Sequence, residues 1–294
     1  MSNRQSPAFG LLLILISSAG FGSIPLLAHF AYQDGVTATS LLALRFLVAI
    51  ALLLPWAYRK RKQWPERRQA LAYLLMGGVL YTLQAQSYFT ALQHASSGLV
   101  ALLLYVYPIL VVLFSALLRW ETLSWQRGLL LIPALGGTLL MLSGPVQGST
   151  LGITLGLVSA LCYAIYILCG SRLRGDALLS GWLILCGAAI SNSILATIQG
   201  WQLPGHVSGW AGIVGLALLG TVLAITFFLA GMARAGAGAS AIVSTFEPVV
   251  TIALGYLLLN ERLLPVQWLG GALVLLAVVL LARQSMSAKP QAND

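Results

Sequence analysis

Ten stretches of this sequence run for roughly 20 residues with almost no charge, the length of helix that crosses the hydrocarbon core of a bilayer. They lie near residues 9–30, 38–57, 70–91, 97–118, 127–142, 151–170, 177–198, 209–232, 238–258 and 266–282. Lipid offers no water to the backbone, so each run must close its own hydrogen bonds as a helix. Two longer uncharged stretches are cut by turn formers, "SGPVQGST" ending at Thr150 and "QGWQLPGHVSG" ending at Gly209. The pattern predicts an all-α polytopic membrane protein with ten transmembrane helices. Composition agrees: 8% of residues are charged, against roughly 25% in soluble domains. The first run, from Ala8, has no small-residue cleavage site at a suitable distance, so it is expected to be the first span rather than a signal peptide.

Orientation follows from the basic residues. One set of loops and termini collects Arg4, the six in "RKRKQWPERR" from Arg59 to Arg68, Arg119, Arg127, Arg172, Arg174, Arg234, Arg283 and Lys289. The opposite loops hold Arg262, and Arg45 lies inside the second run. The positive-inside rule then places both termini in the cytoplasm, which requires an even number of spans. The expected location is a bacterial cytoplasmic (inner) membrane. A net charge of +9 is explained by these loops facing anionic lipid, without nucleic acid as a partner. The tryptophans fall near span ends, as an interfacial belt requires.

The two halves resemble one another. The segment from Ala91 to Gly128 lies over Gly231 to Trp268 without a gap, matching Pro108 with Pro248, Glu121 with Glu261 and Gly98 with Gly238. Gly10 and Ser17 also fall over Gly152 and Ser159. Each half, residues 8–142 and 151–283, then holds five spans, with 284–294 as a cytoplasmic tail. An odd number of spans inverts the second copy, and two inverted five-helix repeats enclose a site near the midplane.

Three segments carry a family resemblance: "RFLVAIALLLP" in the second run, and "YVYPILVVLFSALLRWE" and "TFEPVVTIALGYLLLNE", in which glutamate follows a mid-helix proline by thirteen residues. They resemble the EamA branch of the drug/metabolite transporter superfamily, over about residues 8 to 283. The resemblance implies ten helices in two inverted repeats and a cavity lined by spans 1, 3, 4, 6, 8 and 9. It also implies export or exchange of small metabolites, often amino acids.

The residues themselves give a candidate site. Glu247 lies at the centre of the ninth run, where a charge costs roughly 2.5–3.5 kcal/mol and must face protein or a watery cavity. Ser240, Ser244, Glu247 and Thr251 share one helical face. Pro248 frees the carbonyl of Ser244, and with Pro108 it is a candidate hinge. Arg45, at similar depth, either pairs with Glu247 or binds helix-end carbonyls; alternatively Glu247 exchanges a proton as substrate leaves. Tyr81, Gln84 and Tyr88 recur at helical spacing in the third run, with Tyr105 and Tyr107 in the fourth and Tyr163 and Tyr166 in the sixth. Of these, Gln84, Tyr88 and Tyr163 are the favoured substrate contacts. Glu121 and Glu261 come just before a helix and are expected to cap its amide groups.

Cys162, Cys169 and Cys186 show no ligand spacing, and His29, His94 and His206 share none, so no metal or cofactor is expected. Gly152 with Gly156, and Ala235 with Ala239, read as helix-packing contacts. An intramembrane enzyme would need clustered catalytic groups, and this chain has seven acidic residues, of which Glu247 alone lies deep in a run. The expected function is therefore secondary transport of a small molecule by a monomer or homodimer in the lipid bilayer. Export, uptake and exchange are alike in sequence.

Overall fold

The computed structural model describes residues 7–119, 148–173, 175–235 and 243–287, with residue 240 and isolated positions between 129 and 140. Most of the fifth run, together with Glu121, Arg174, Ala239 and residues 288–294, lies outside them. The other runs are helical: α1 Pro7–Gly22, α2 Ile24–Gln33, α3 Ala38–Arg59, α4 Arg67–Leu75, α5 Thr82–His94, α6 Ser97–Leu104, α7 Tyr107–Leu117, α8 Thr150–Gly170, α9 Ala177–Gln199, α10 Val207–Ala217, α11 Ala224–Ala235, α12 Phe246–Leu258 and α13 Pro265–Ser287. Among the described residues, six apolar helices are long enough to span a bilayer: Ala8–Gln33, Ala38–Arg59, Ser97–Leu117, Thr150–Gly170, Ala177–Gln199 and Val207–Ala235. Shorter apolar helices cover Phe246–Leu258 and Pro265–Leu280. Leucines, isoleucines and valines such as Leu54, Leu75, Ile194, Ile198 and Leu257 are exposed along their flanks. Such a surface suits lipid, and the chain is a multi-pass membrane protein.

Several spans are interrupted in mid-course. The first bends at Ser23, whose hydroxyl bonds the Gly20 carbonyl, and α2 restarts with Pro25 in its first turn. The fourth breaks at Tyr105–Val106, just before Pro108, and the ninth at Thr245, just before Pro248. A proline cannot donate to the preceding turn, so each break falls where a backbone bond is missing. Two π-helical segments, Met76–Tyr81 and Leu218–Leu223, join α4 to α5 and α10 to α11. At each a threonine returns a bond to the carbonyl five residues back, Thr82 just after the first segment to Gly77 at 3.0 Å and Thr221 within the second to Leu216 at 3.0 Å. These side chains compensate the widened ladder, which sequence periodicity does not reveal.

Helices α3 and α9 pack along one another, α5 packs on α8, α1 on α11, and α10 on α2. Close approach depends on glycine, as membrane helices with no hydrophobic drive between them require. A Cβ on Gly77 would lie 1.8 Å from the Ile184 carbonyl oxygen, and one on Gly187 would lie 2.0 Å from that of Leu74. The largest core gathers Leu41, Phe46, Phe89, Leu185, Ile213 and Leu216; a second joins Leu99, Leu102, Tyr105, Ile252 and Val274.

Charged contacts tie the helix ends. Thr37 and Asp176 cap α3 and α9 through their side chains, and Asp176 also pairs with Lys60 at 3.0 Å. At the other end of the same helix pair Asp34 binds both the ring and the backbone N–H of His206. The ring bond, then the backbone bond, holds the Asp34 carboxyl below its usual range, and the same ring bond pushes the His206 imidazole up. The stability from His206 is complete below 6.5 and is lost as pH rises through its raised folded value; that from Asp34 is present above 3.8 and is lost as pH falls through its lowered value. Melting curves of the wild type and His206→Gln are therefore expected to differ most between pH 3.8 and 6.5, and to converge at alkaline pH. A difference that grows with alkalinity would contradict this pairing.

Trp64, Trp201, Trp210 and Trp268 are exposed, in keeping with a belt. Trp182 departs from it: its indole donates to the Ile50 carbonyl at 3.1 Å and its ring meets Trp64, so it serves the α3–α9 contact.

Candidate functional site

The breaks in the first, fourth and ninth apolar runs converge. Gly22 sits so close to α12 that a Cβ there would lie 2.7 Å from the Glu247 carbonyl oxygen, and Thr251 donates to the Gly22 carbonyl at 3.0 Å. From the fourth span, the Tyr105 hydroxyl donates to the Ser244 carbonyl at 2.7 Å and lies 3.3 Å from Glu247 Oε2. The carbonyl released by Pro248 is thus occupied by a tyrosine rather than left open, a partner that the sequence did not indicate. Glu247 itself is half-buried in the first turn of α12.

Aromatic rings lead away from this carboxylate in an unbroken series. Tyr105 meets Tyr107 at 6.2 Å between centroids, Tyr107 meets Tyr163 at 4.6 Å, and Tyr163 stacks on Tyr166 at 5.9 Å with 11° between planes. Tyr166 then meets Tyr81 at 5.7 Å, and Tyr81 meets Phe46 at 5.5 Å. The series crosses the fourth, sixth, third and second apolar runs. Tyr81, Tyr107, Tyr163 and Tyr166 are half-buried, so part of each ring stays accessible.

The other sequence candidates divide between this cluster and helix packing. Arg45 does not reach Glu247. Its Nε donates to Thr221 at 2.8 Å and its Nη2 to the Gly220 carbonyl at 3.2 Å, both in the π-segment before α11, with Phe46 and Phe89 beneath the guanidinium. The carbonyl that Arg45 binds lies in a π-segment rather than at a helix end, where the ladder leaves an acceptor that a planar fork can reach. Gln84 is buried and donates to Ser159 on α8 at 3.1 Å. Tyr88 is buried beside Phe89. Ser240 is fully buried, and Ser244 contributes its carbonyl as described.

The sequence passed over Asn192, which binds Thr82, the Ala188 carbonyl and Gln86 between α9 and α5. A lone asparagine opposite a glutamine in facing apolar runs was the available signal. Glu261 caps a helix, but not the one that follows it. Its carboxylate accepts from Ser97 N at 2.9 Å, Ser97 Oγ at 2.6 Å and Gly98 N at 3.4 Å, at the start of α6. Sequence adjacency pointed to α13; the fold brings a distant helix N-terminus closer. Glu261 also lines a pocket of about 300 Å³ with Gly98, Tyr256, Arg262 and Trp268, where its oxygens are already engaged by α6. That pocket lies at the far end of α12 from Glu247.

An apolar exterior, interrupted apolar helices and a half-buried carboxylate beside tyrosines are the features of this multi-pass membrane protein. The model of the EamA-like transporter family matches this chain twice, over residues 8–143 and 150–283, and the chain belongs to that family. An uncharacterized transporter of Archaeoglobus fulgidus is 28% identical over 94% of this chain and 97% of its own length. The uncharacterized inner membrane transporter YedA of Escherichia coli K12 is 26% identical over 97% of this chain and 94% of its own. The threonine/homoserine exporter RhtA of Escherichia coli K12 is 29% identical over 93% of this chain and 92% of its own. A protein of known crystal structure superposes with a TM-score of 0.65 at 18% identity, covering 94% of this chain and 98% of that one, and so shares its fold.

Proposed function

We propose that this chain is a secondary transporter that exports a small metabolite, an amino acid or related compound, across the bacterial inner membrane by alternating access. The observation that carries the proposal is the half-buried Glu247 carboxylate at a helix break, faced by tyrosines of other spans. Broken helices around a midplane polar group are the arrangement that alternating access uses. Export is favoured by the likeness to RhtA.

The architecture proposed is ten spans in two inverted repeats, residues 8–142 and 151–283, with both termini cytoplasmic. It is supported by the double family match and by the matching placement of the breaks at Tyr105 and Thr245 and of the two π-segments. Ser17 and Ser159 support it too: one binds the Ala224 carbonyl of α11, the other Gln84 of α5. Pro108 and Pro248 would then be hinges shared by the halves, and Glu247 a specialisation of the second.

Glu247→Gln is expected to reduce flux in proteoliposomes on the order of a hundredfold, as loss of a buried charge contact implies, while the protein still elutes as a folded species. Flux and pH response unchanged from wild type would remove Glu247 from the mechanism.

A further inference from the structure

We propose that the elbow joining α3 to α4 binds the headgroup of an anionic phospholipid, and prefers one that carries two phosphates. The inference goes beyond transport and does not depend on which solute is carried. From Arg59 to Arg68 the chain sets six basic residues against one acid, Glu66. Arg59, Arg61, Lys62, Arg67 and Arg68 are exposed. Such a cluster at the end of a membrane helix attracts acidic headgroups. Here it is held in place rather than left loose. Lys60 pairs with Asp176 at the start of α9 at 3.0 Å, donates to Gln63 at 3.1 Å and lies over the Trp56 ring. Arg61 donates to the Tyr58 hydroxyl at 2.7 Å, and its guanidinium stands 4.8 Å from the centre of that ring. Asp176 is spent on Lys60 and on the Leu179 N–H, so it does not oppose the exposed cations.

Below the cations the surface changes in the order that a phospholipid does. After the turn Arg61–Gln63 the chain folds back, and Trp64 sets its ring against Trp182 of α9 while staying exposed. Trp182 in turn donates to the carbonyl of Ile50, well down α3 from the basic turn, so the indole pair lies on the bilayer side of it. Indoles settle where headgroups give way to acyl chains. Further still from the turn, Leu52 and Leu54 on α3 and Leu71 and Leu75 on α4 are exposed. Both helices pack on α9, so cations, indoles and apolar flanks succeed one another on the pair that frames the elbow. Free phosphate would use the first of these three levels, whereas a phospholipid uses all of them. Two phosphates engage more of the cations than one, and each cation adds its own attraction.

The test uses the full chain purified in an uncharged detergent and titrated with cardiolipin, phosphatidylglycerol, phosphatidylcholine or inorganic pyrophosphate. Native mass spectrometry reads occupancy, and the melting temperature reads stabilisation. Cardiolipin is expected to bind saturably and raise the melting temperature, phosphatidylglycerol to do so more weakly, and phosphatidylcholine and pyrophosphate not at all. Arg61→Gln with Lys62→Gln is expected to weaken cardiolipin binding roughly thirtyfold, about fivefold per charge, and to reduce its salt dependence. Trp64→Leu should weaken binding less and leave the salt dependence unchanged, because the indole carries no charge. Arg4→Gln with Lys289→Gln removes the same charge from the termini and should leave binding as it was. The inference is overturned if cardiolipin does not saturate, or if phosphatidylcholine stabilises as well. It is overturned too if the terminal pair costs as much as the elbow pair, which would mean a diffuse field, or if pyrophosphate matches cardiolipin, which would mean a site for free phosphate. Should the elbow pair not fold, undiminished cardiolipin occupancy in Arg68→Gln overturns it instead.

Discussion

Gly77→Ala is expected to lower stability by about 3 kcal/mol or more, at the upper end of what overpacking a membrane interface costs. The added Cβ would stand 1.8 Å from the oxygen, 2.6 Å from the carbon and 2.9 Å from the Cα of Ile184, all backbone atoms that no rotamer change can move aside. The helix carrying the first π-segment and α9 would have to separate. That separation also disturbs the nearby contact of Gly187 with Leu74 and the bonds of Asn192 to Thr82. Gly187→Ala should have a similar effect, and the double variant should cost less than the sum, because one displacement relieves both clashes. Unfolding in mixed detergent micelles measures all three. Additive losses would mean that the two glycines serve separate contacts.

Arg45→Lys is expected to destabilise by about 3 kcal/mol, whereas Arg45→Met should cost about 1 kcal/mol or less. Lysine keeps a buried charge yet cannot reach Thr221 and the Gly220 carbonyl together, nor lie flat over Phe46 and Phe89. Methionine gives up the same bonds but also removes a charge whose insertion at mid-span costs roughly 2.5–3.5 kcal/mol. The Thr221 hydroxyl keeps its bond to the Leu216 carbonyl in either case. The reverse order, with lysine tolerated and methionine severe, would show that charge at this depth matters more than the geometry of the fork. The same micelle titration reads both variants.

The helical class and the six long apolar spans could be read from the sequence, because lipid leaves a polar backbone no alternative to closing its own bonds. Glu247, Pro248 and the tyrosines also stood out, since polar residues are conspicuous in an uncharged run. Their partners did not. Nothing local to Tyr105 says that its hydroxyl closes the carbonyl of Ser244, 139 residues away. Nothing local to Glu261 says that it caps α6 rather than α13. Equal depth made Arg45 and Glu247 look like a pair, but depth fixes one coordinate, and the angular position of each helix fixes the rest. Gln84 drew notice as a polar group in a greasy helix, and the fold spends it on Ser159.

By itself, then, the sequence determined that this chain is a bundle of apolar helices and marked Glu247 as a carboxylate within an apolar run, because hydrophobic length and charge cost are properties of a single segment. Which side chains meet that carboxylate is a property of several segments at once. Only the tertiary structure decided that Arg45 goes to a π-segment and that Glu247 is left facing a wall of tyrosines, because helix rotation and the glycine contacts that set spacing are settled between helices.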